Sequence, residues 1–294
     1  MTRETALSYQ GLYINLDRSV LRERRMQAQL AALHLSDRYT RLPAVDGANL
    51  NLGPSKIGPG ETGAFLSHAR ALEQAQGASL PVHILEDDAL LSEHVRPVIE
   101  DAIAAGLFEN FDILFTDIFV HAHVGMLKGL KTAFDSVALP PSRPLRLADL
   151  KVLDLARENF ACLTSYVVGP KSFDRILALY RAELEKGPAK PVDIFLRDCV
   201  LEGRLRAGLV FPFVTSFRLD EIAESTIGAG AAIAKPSVMV LAVLRYLFFV
   251  GRDLGYAKAC LDAATQQNRR ETDSHHAMMA QALEFVLSAD FQQF

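Results

Sequence analysis

Glu86, Asp87 and Asp88 are the residues whose types and spacing most directly suggest chemistry. They follow without a break on Val82-His83-Ile84-Leu85, an apolar run preceded by Pro81 and too short for a helix, so a buried strand is expected there. A buried strand does not continue into three ionised groups, because each uncompensated charge is costly away from water. The acids are therefore expected at the strand's carboxyl end, where open α/β sheets place their ligands. Glu86 and Asp88 are one residue apart, and alternation along a strand points both to one cavity. Such a pair is a hard oxygen site for Mg²⁺ or Mn²⁺, with the remaining positions left to water and substrate phosphate. A solvated acidic turn is the competing reading of the same three residues.

Other polar residues stand at comparable places. Asp117 follows the apolar run Phe111 to Phe115, again at a strand's carboxyl end. His68 lies beside the apolar stripe Phe65, Ala69 and Leu72, where a hydrogen-bonded core histidine competes with a catalytic one. His121 and His123 share a strand face, but no third ligand is near them in the sequence, which favours a surface pair. Cys162, Cys199 and Cys260 are widely spaced and odd in number, with neither zinc spacing nor a disulfide framework. They are expected to be reduced, in an intracellular protein.

The elements that must position these groups alternate between strand and helix. Leu12 to Leu16 predicts a first strand, and Asp17 and Ser19 open a helix carrying Met26, Leu30 and Leu33. Arg41 to Asn49 predicts a second strand running into the turn dipeptide Asp46-Gly47, and Leu52 to Gly60 a loop. Thr62 is expected to cap a helix reaching about Gln76, and further helices are expected over Glu93 to Ala105 and from Pro170. The proline-bearing stretch Leu130 to Leu150 predicts an irregular lid. Ser165 to Gly169 and Gly208 to Val214 predict late strands, with Pro191 to Leu196 entering a short helix between them. Gly228 to Pro236 has the composition of a linker, and helices are expected beyond it over Val238 to Val250, to about Gln266, and over Ser274 to Leu287. The expectation is an α/β domain over 1–236 and a helical extension over 237–294.

Bulk properties narrow the classes. Half of the 294 residues are hydrophobic and 22% are charged, an ordinary globular balance. The net charge of −4 leaves no electrostatic footprint for nucleic acid. Met1 to Gln10 has no apolar signal core, and Val238 to Val250 is interrupted by Arg245 and shorter than the ~20 residues of a membrane span. A soluble, cytoplasmic protein is expected. The Val238 to Val250 helix, with Arg245 and Arg252, is expected to dock on the protein's own core, the alternatives being a partner or a peripheral contact with the inner face of a membrane.

Several short pieces together resemble a known family. In order they are Tyr13-Ile14-Asn15-Leu16 with Ser19 and Arg22, then Pro43-Ala44-Val45-Asp46-Gly47 and Gly60-Glu61-Thr62-Gly63-Ala64-Phe65-Leu66-Ser67-His68. Ile84 to Asp88, Thr164 to Val168, Pro191-Val192-Asp193 and Ser225-Thr226-Ile227 follow. Across about residues 11 to 228 this resembles glycosyltransferase family 25, the lipopolysaccharide and collagen-type galactosyl- and glucosyltransferases. The Gly-x-x-Gly-x-x-x-Ser-His helix just upstream of the Glu-Asp-Asp strand is the specific combination.

The resemblance implies a GT-A type fold, meaning a Rossmann-like mixed sheet flanked by helices. It implies a UDP-sugar donor, UDP-galactose or a relative, and inversion at the anomeric carbon with a glycan or glycolipid acceptor. It implies a divalent metal, Mn²⁺ or Mg²⁺, at the acidic motif, with Asp88 as ligand and Glu86 as second ligand or ribose partner. A metal ion there neutralises the departing diphosphate. Asn15, Arg22, Asp46, His68 and Asp87 are the expected donor-binding residues, Arg22 being equally readable as a surface ion-pair partner. Inverting transfer needs a general base; Asp193 is the expected one, helix capping being its alternative role and Asp117 the reserve. The sequence departs from the family at Ala89-Leu90-Leu91 after the acids and in the proline cluster Pro140, Pro141 and Pro144. Two other classes compete: a Mg²⁺-dependent phosphate-ester hydrolase using the same acids, and a non-catalytic relative that keeps the fold.

Overall fold

The computed structural model describes residues 8–50, 53–120, 124–138, 140, 142–224 and 236–267. The apolar runs near the amino terminus become neighbouring parallel strands, β1 (Gln10–Asn15), β2 (Tyr39–Pro43) and β3 (Val82–Glu86). Between them run α1 (Val20–Ala32) and α2 (Pro59–Ala75). β3 turns through Asp87 and Asp88 into β4 (Ala89–Leu91), followed by α3 (Val95–Ala104), β5 (Ile113–Phe115) and β6 (Phe119–Val120). Next come α4 (Val124–Asp135), β7 (Lys151–Asp154), β8 (Phe160–Ala161), β9 (Ser165–Val168), α5 (Phe173–Lys186) and α6 (Val192–Leu201). The chain continues with β10 (Ala207–Phe211), β11 (Thr215–Phe217), α7 (Pro236–Leu247) and α8 (Leu254–Gln267).

The main sheet has seven strands in the order β2-β1-β3-β9-β5-β10-β7. β9 lies antiparallel between β3 and β5, and β7 antiparallel on β10. This is a mixed sheet flanked by helices, compatible with a Rossmann-like fold. Period-two alternation divides it into two cores. Val82 and Ile84 face α2, α5 and α6, whereas Leu85 faces α1 and α3. The order β2-β1-β3 has a consequence for ligands: the chain leaves β1 toward one side and later returns on the other. The crevice at the carboxyl ends of β1 and β3 is thus a topological switch point.

Several boundaries differ from the sequence expectation. The second strand ends at Pro43, and Gly47–Asn49 forms a short 3-10 turn, with Asp46 Oδ1 accepting from the Ala48 amide. The second helix, α2, starts at Pro59 rather than Thr62, because proline suits a first helical position and Glu61 accepts from the Gly58 amide at 2.9 Å. The stretch from Leu130 is not irregular throughout: α4 runs to Asp135, with Leu130 and Phe134 buried one turn apart. The prolines begin only after that helix ends. The late strand stops at Phe211, before the cis Phe211–Pro212 bond.

α7 inserts Val240, Val243, Leu244 and Leu247 into the same core as α2 and α5. Docking on the protein's own core is what the structure displays for this helix. Among the described residues no helix is long and apolar enough to cross a membrane. His121, His123, residues 225–235 and the expected Ser274 to Leu287 helix lie outside the described residues.

Candidate active site

Glu86 ends β3 and is paired in register with Ile14 of β1, so the acidic turn opens directly at the switch point. A cavity of about 610 Å³ lies there. One wall is the turn after β1, with Leu16, Arg18, Ser19 and Arg22; the facing wall is Ala44 to Ala48. The amino end of α2, from Gly58 to Glu61, closes a third side, and Ser67, His68, Glu86, Asp87 and Asp88 bring the polar groups of the floor.

Small residues bring these walls together. A Cβ on Gly63 would lie 2.6 Å from the Val45 carbonyl oxygen, and one on Gly47 would overlap the Pro59 carbonyl. Ser67 Oγ accepts from the Val45 amide at 2.8 Å and donates to the Gly63 carbonyl at 2.7 Å. The Gly-x-x-Gly-x-x-x-Ser spacing therefore fastens the loop after β2 to the first turns of α2, leaving His68 to face the acids.

The three acids have different surroundings. Glu86 is held by His68 Nε2 at 3.3 Å and by the Thr164 hydroxyl at 3.4 Å. His68, buried in α2, meets the Tyr166 hydroxyl with its other nitrogen at 3.0 Å. Burial alone would raise the Glu86 carboxyl, but His68, Arg245 and Thr164 outweigh it and hold the group below its ordinary value. Asp87 accepts from Asn15 Nδ2 at 2.7 Å and from Arg22 at 3.2 Å. Burial nevertheless lifts it above the ordinary carboxylate value. Asp88 has a buried oxygen, Oδ1, with no partner. Burial, reinforced by the charges of Glu86 and Asp87, pushes its carboxyl up to about 8.

Cations frame this acidic floor. Arg22 reaches both Asp87 and Glu221, the latter at 2.9 Å, and Glu221 also takes Arg25. Asn15, 1% exposed, accepts from Arg41 Nε at 2.8 Å and so links Asp87 to β2. Arg18 pairs with Asp46 between the two walls.

The structure brings Arg22, Asp46, His68, Glu86, Asp87 and Asp88 to one cavity, with Asn15 directly behind Asp87. His68 is a buried, hydrogen-bonded histidine whose Nε2 also meets the acidic neighbour Glu86. Arg22 pairs with acids, but at the cavity wall rather than on the open surface. Asp193 and Asp117 are not among the lining residues. Asp193, in the first turn of α6, accepts from the Cys162 amide at 3.0 Å and from the Ile194 amide at 2.8 Å. Asp117 is enclosed and bound to Arg245 of α7. Arg18, Glu61 and Ser67 line the cavity although sequence reasoning did not select them as site residues. Their signal was present in the turn after β1 and in the helix motif itself.

A divalent cation fits these residues. The lining carries carboxylates at Asp46, Glu61, Glu86, Asp87 and Asp88 against guanidiniums at Arg18 and Arg22. An excess of carboxylate and an orphaned oxygen on Asp88 suit a hard cation. Among the described residues no group of three or more His, Cys, Asp or Glu is arranged to hold a metal by itself. No family model matches this chain, and no curated protein matches it.

Proposed function

We propose that the chain is a divalent-metal-dependent inverting glycosyltransferase of the GT-A type. In this reading it moves a hexose, with galactose as the expected sugar, from a UDP-sugar to a lipopolysaccharide or other surface-glycan acceptor. The observation that supports it most is the Glu86-Asp87-Asp88 turn, opening into a cavity at the β1/β3 switch point. An acidic cavity disfavours a free diphosphate and favours a cation accompanied by one. The resemblance to family 25 supplies the sugar, and the cavity is large enough for a nucleotide-sized ligand.

In this reading Glu86 and Asp88 would hold the metal, which when bound neutralises charge on the departing diphosphate. His68 and Thr164 orient Glu86, and Asn15 and Arg22 orient Asp87. The acceptor hydroxyl attacks the anomeric carbon, the bond to the diphosphate oxygen breaks, and UDP leaves with that electron pair. Asp193, which lies outside the cavity lining and is linked to Glu86 through Cys162 and Thr164, would take the hydroxyl proton. Asp117 is the poorer base, because both its oxygens are engaged by one guanidinium. Asp193 is only partly buried, and each of its oxygens retains a lone pair beyond its backbone contact.

The test is a thermal-shift screen of nucleotide sugars with and without Mn²⁺, followed by product analysis. Metal-dependent stabilisation by UDP-galactose or UDP-glucose, with UDP released on adding acceptor, is expected. Release of inorganic phosphate from simple esters, with no response to any nucleotide sugar, would favour the phosphate-ester hydrolase instead.

A further inference from the structure

Arg18 and Arg22 both line the cavity, yet they are held very differently. Arg22 is 17% exposed and shared between Asp87 and the enclosed Glu221; Glu221 keeps Arg25, but taking Arg22 from Asp87 leaves a largely buried carboxylate with Asn15 alone. Arg18 is half exposed, and its ion-pair partner among the described residues is Asp46 on the opposite wall. Asp46 does not depend on that pair. Its Oδ1 accepts from the Ala48 amide and its Oδ2 from Asn49 Nδ2, both at 3.1 Å.

We propose that Arg18 is a phosphate-binding residue of this site, and that Asp46 occupies it in place of the ligand's anion until a diphosphate displaces it. The proposal rests on the transferase reading and deepens it. An exposed ion pair contributes little to stability. A guanidinium can instead meet two phosphate oxygens at once, and such charge-assisted bonds are stronger. Exchange therefore sacrifices a weak contact and gains a stronger one, and Asp46 keeps its two local donors. Exchange removes the Arg18 contact between the two walls, while the Ala44 amide remains bonded to the Asn15 carbonyl at 2.9 Å. Arg18 is thus the cation of the cavity that can change partners at least cost.

The two members of the pair give opposite expectations. Inorganic pyrophosphate is the probe, since it lacks ribose and base, titrated calorimetrically into the full chain at fixed Mg²⁺. Arg18→Met should weaken binding by about tenfold, with Arg18→Lys in between. Asp46→Asn should tighten it several-fold by removing the competing charge, and should do nothing when Arg18→Met is already present. Both side chains reach solvent, and melting curves confirm that the variants fold. If Asp46→Asn weakens binding or leaves it unchanged, or Arg18→Met binds as tightly as wild type, the proposal is wrong while the site remains. If wild type ignores pyrophosphate but is stabilised by a UDP-sugar, the proposal again fails and the transferase reading stands. If neither ligand binds, both fall.

Discussion

Arg245 and Asp117 lie 128 residues apart in sequence and face each other in the interior, Arg245 Nε donating to Asp117 Oδ1 at 2.6 Å. Their side chains are 3% and 0% exposed, and the guanidinium also sits 4.3 Å above the ring of Phe217. α7 therefore supplies the counter-charge for a carboxylate at the carboxyl end of β5. Removing one partner leaves an uncompensated buried charge, whereas removing both leaves none. Arg245→Met should destabilise the protein by about 3–5 kcal/mol. The double variant Asp117→Asn with Arg245→Met should recover most of that loss. Denaturant unfolding of the two proteins compares them directly.

The acidic turn predicts a pH dependence with a definite sign. Burial and the neighbouring acids raise Asp88 to about 8, above its value of about 3.9 in the unfolded chain. Between those values the folded state binds the extra proton. Its contribution to stability is full below the unfolded pKa and is lost as pH rises through about 8. Asp87 and Asp117 are shifted in the same direction. Glu86 is depressed, so its contribution is present at higher pH and is lost only as pH falls through its folded value, below the ordinary carboxylate range. The melting temperature of the metal-free protein should decline from pH 5 to pH 8, and Asp88→Asn should flatten that decline.

The cavity wall depends on close backbone approach. Gly63→Ala would press a methyl group against the Val45 carbonyl and the Gly47 amide, neither of which is a flexible side-chain end. Overpacking of this kind costs about 1–3 kcal/mol. Ser67→Ala leaves the Val45 amide without its acceptor, a loss of about 1–3 kcal/mol for a buried donor. Both variants should melt earlier than wild type, and nucleotide-sugar binding should weaken with them.

Asp193→Asn probes the assigned base. It should lower kcat by about 10²–10⁴-fold with little change in donor affinity. A loss of donor affinity of the same size would instead make Asp193 a support for the Cys162 turn. Steady-state kinetics with donor varied separates the two.

Much of the arrangement was legible because local signals agreed. Val82 to Leu85 is apolar and short, the acids end it abruptly, and glycines precede a serine and a histidine at helical spacing. These patterns placed β3, α2 and the acidic turn. Pairings across the fold were not legible. Nothing local to Arg245 marks it as the partner of Asp117; it interrupts an apolar run, which on sequence alone fits a surface stripe as well as a core. A mixed sheet was expected from the resemblance, but nothing local to Ser165–Val168 marks β9 as the strand lying antiparallel between β3 and β5. The Arg18–Asp46 contact depends on two loops meeting across a cavity, a relation with no sequence period. α4 was obscured because the prolines after it dominated the composition.

In the proposed reading Asp88 and Glu86 would hold a metal on which donor use depends. The most direct measurement is UDP release from UDP-galactose and UDP-glucose, with and without Mn²⁺, by wild type and by Asp88→Ala. Release by wild type only with Mn²⁺, and its loss in Asp88→Ala at unchanged fold, is the predicted result. Equal release by the two proteins, or release indifferent to metal, would contradict it.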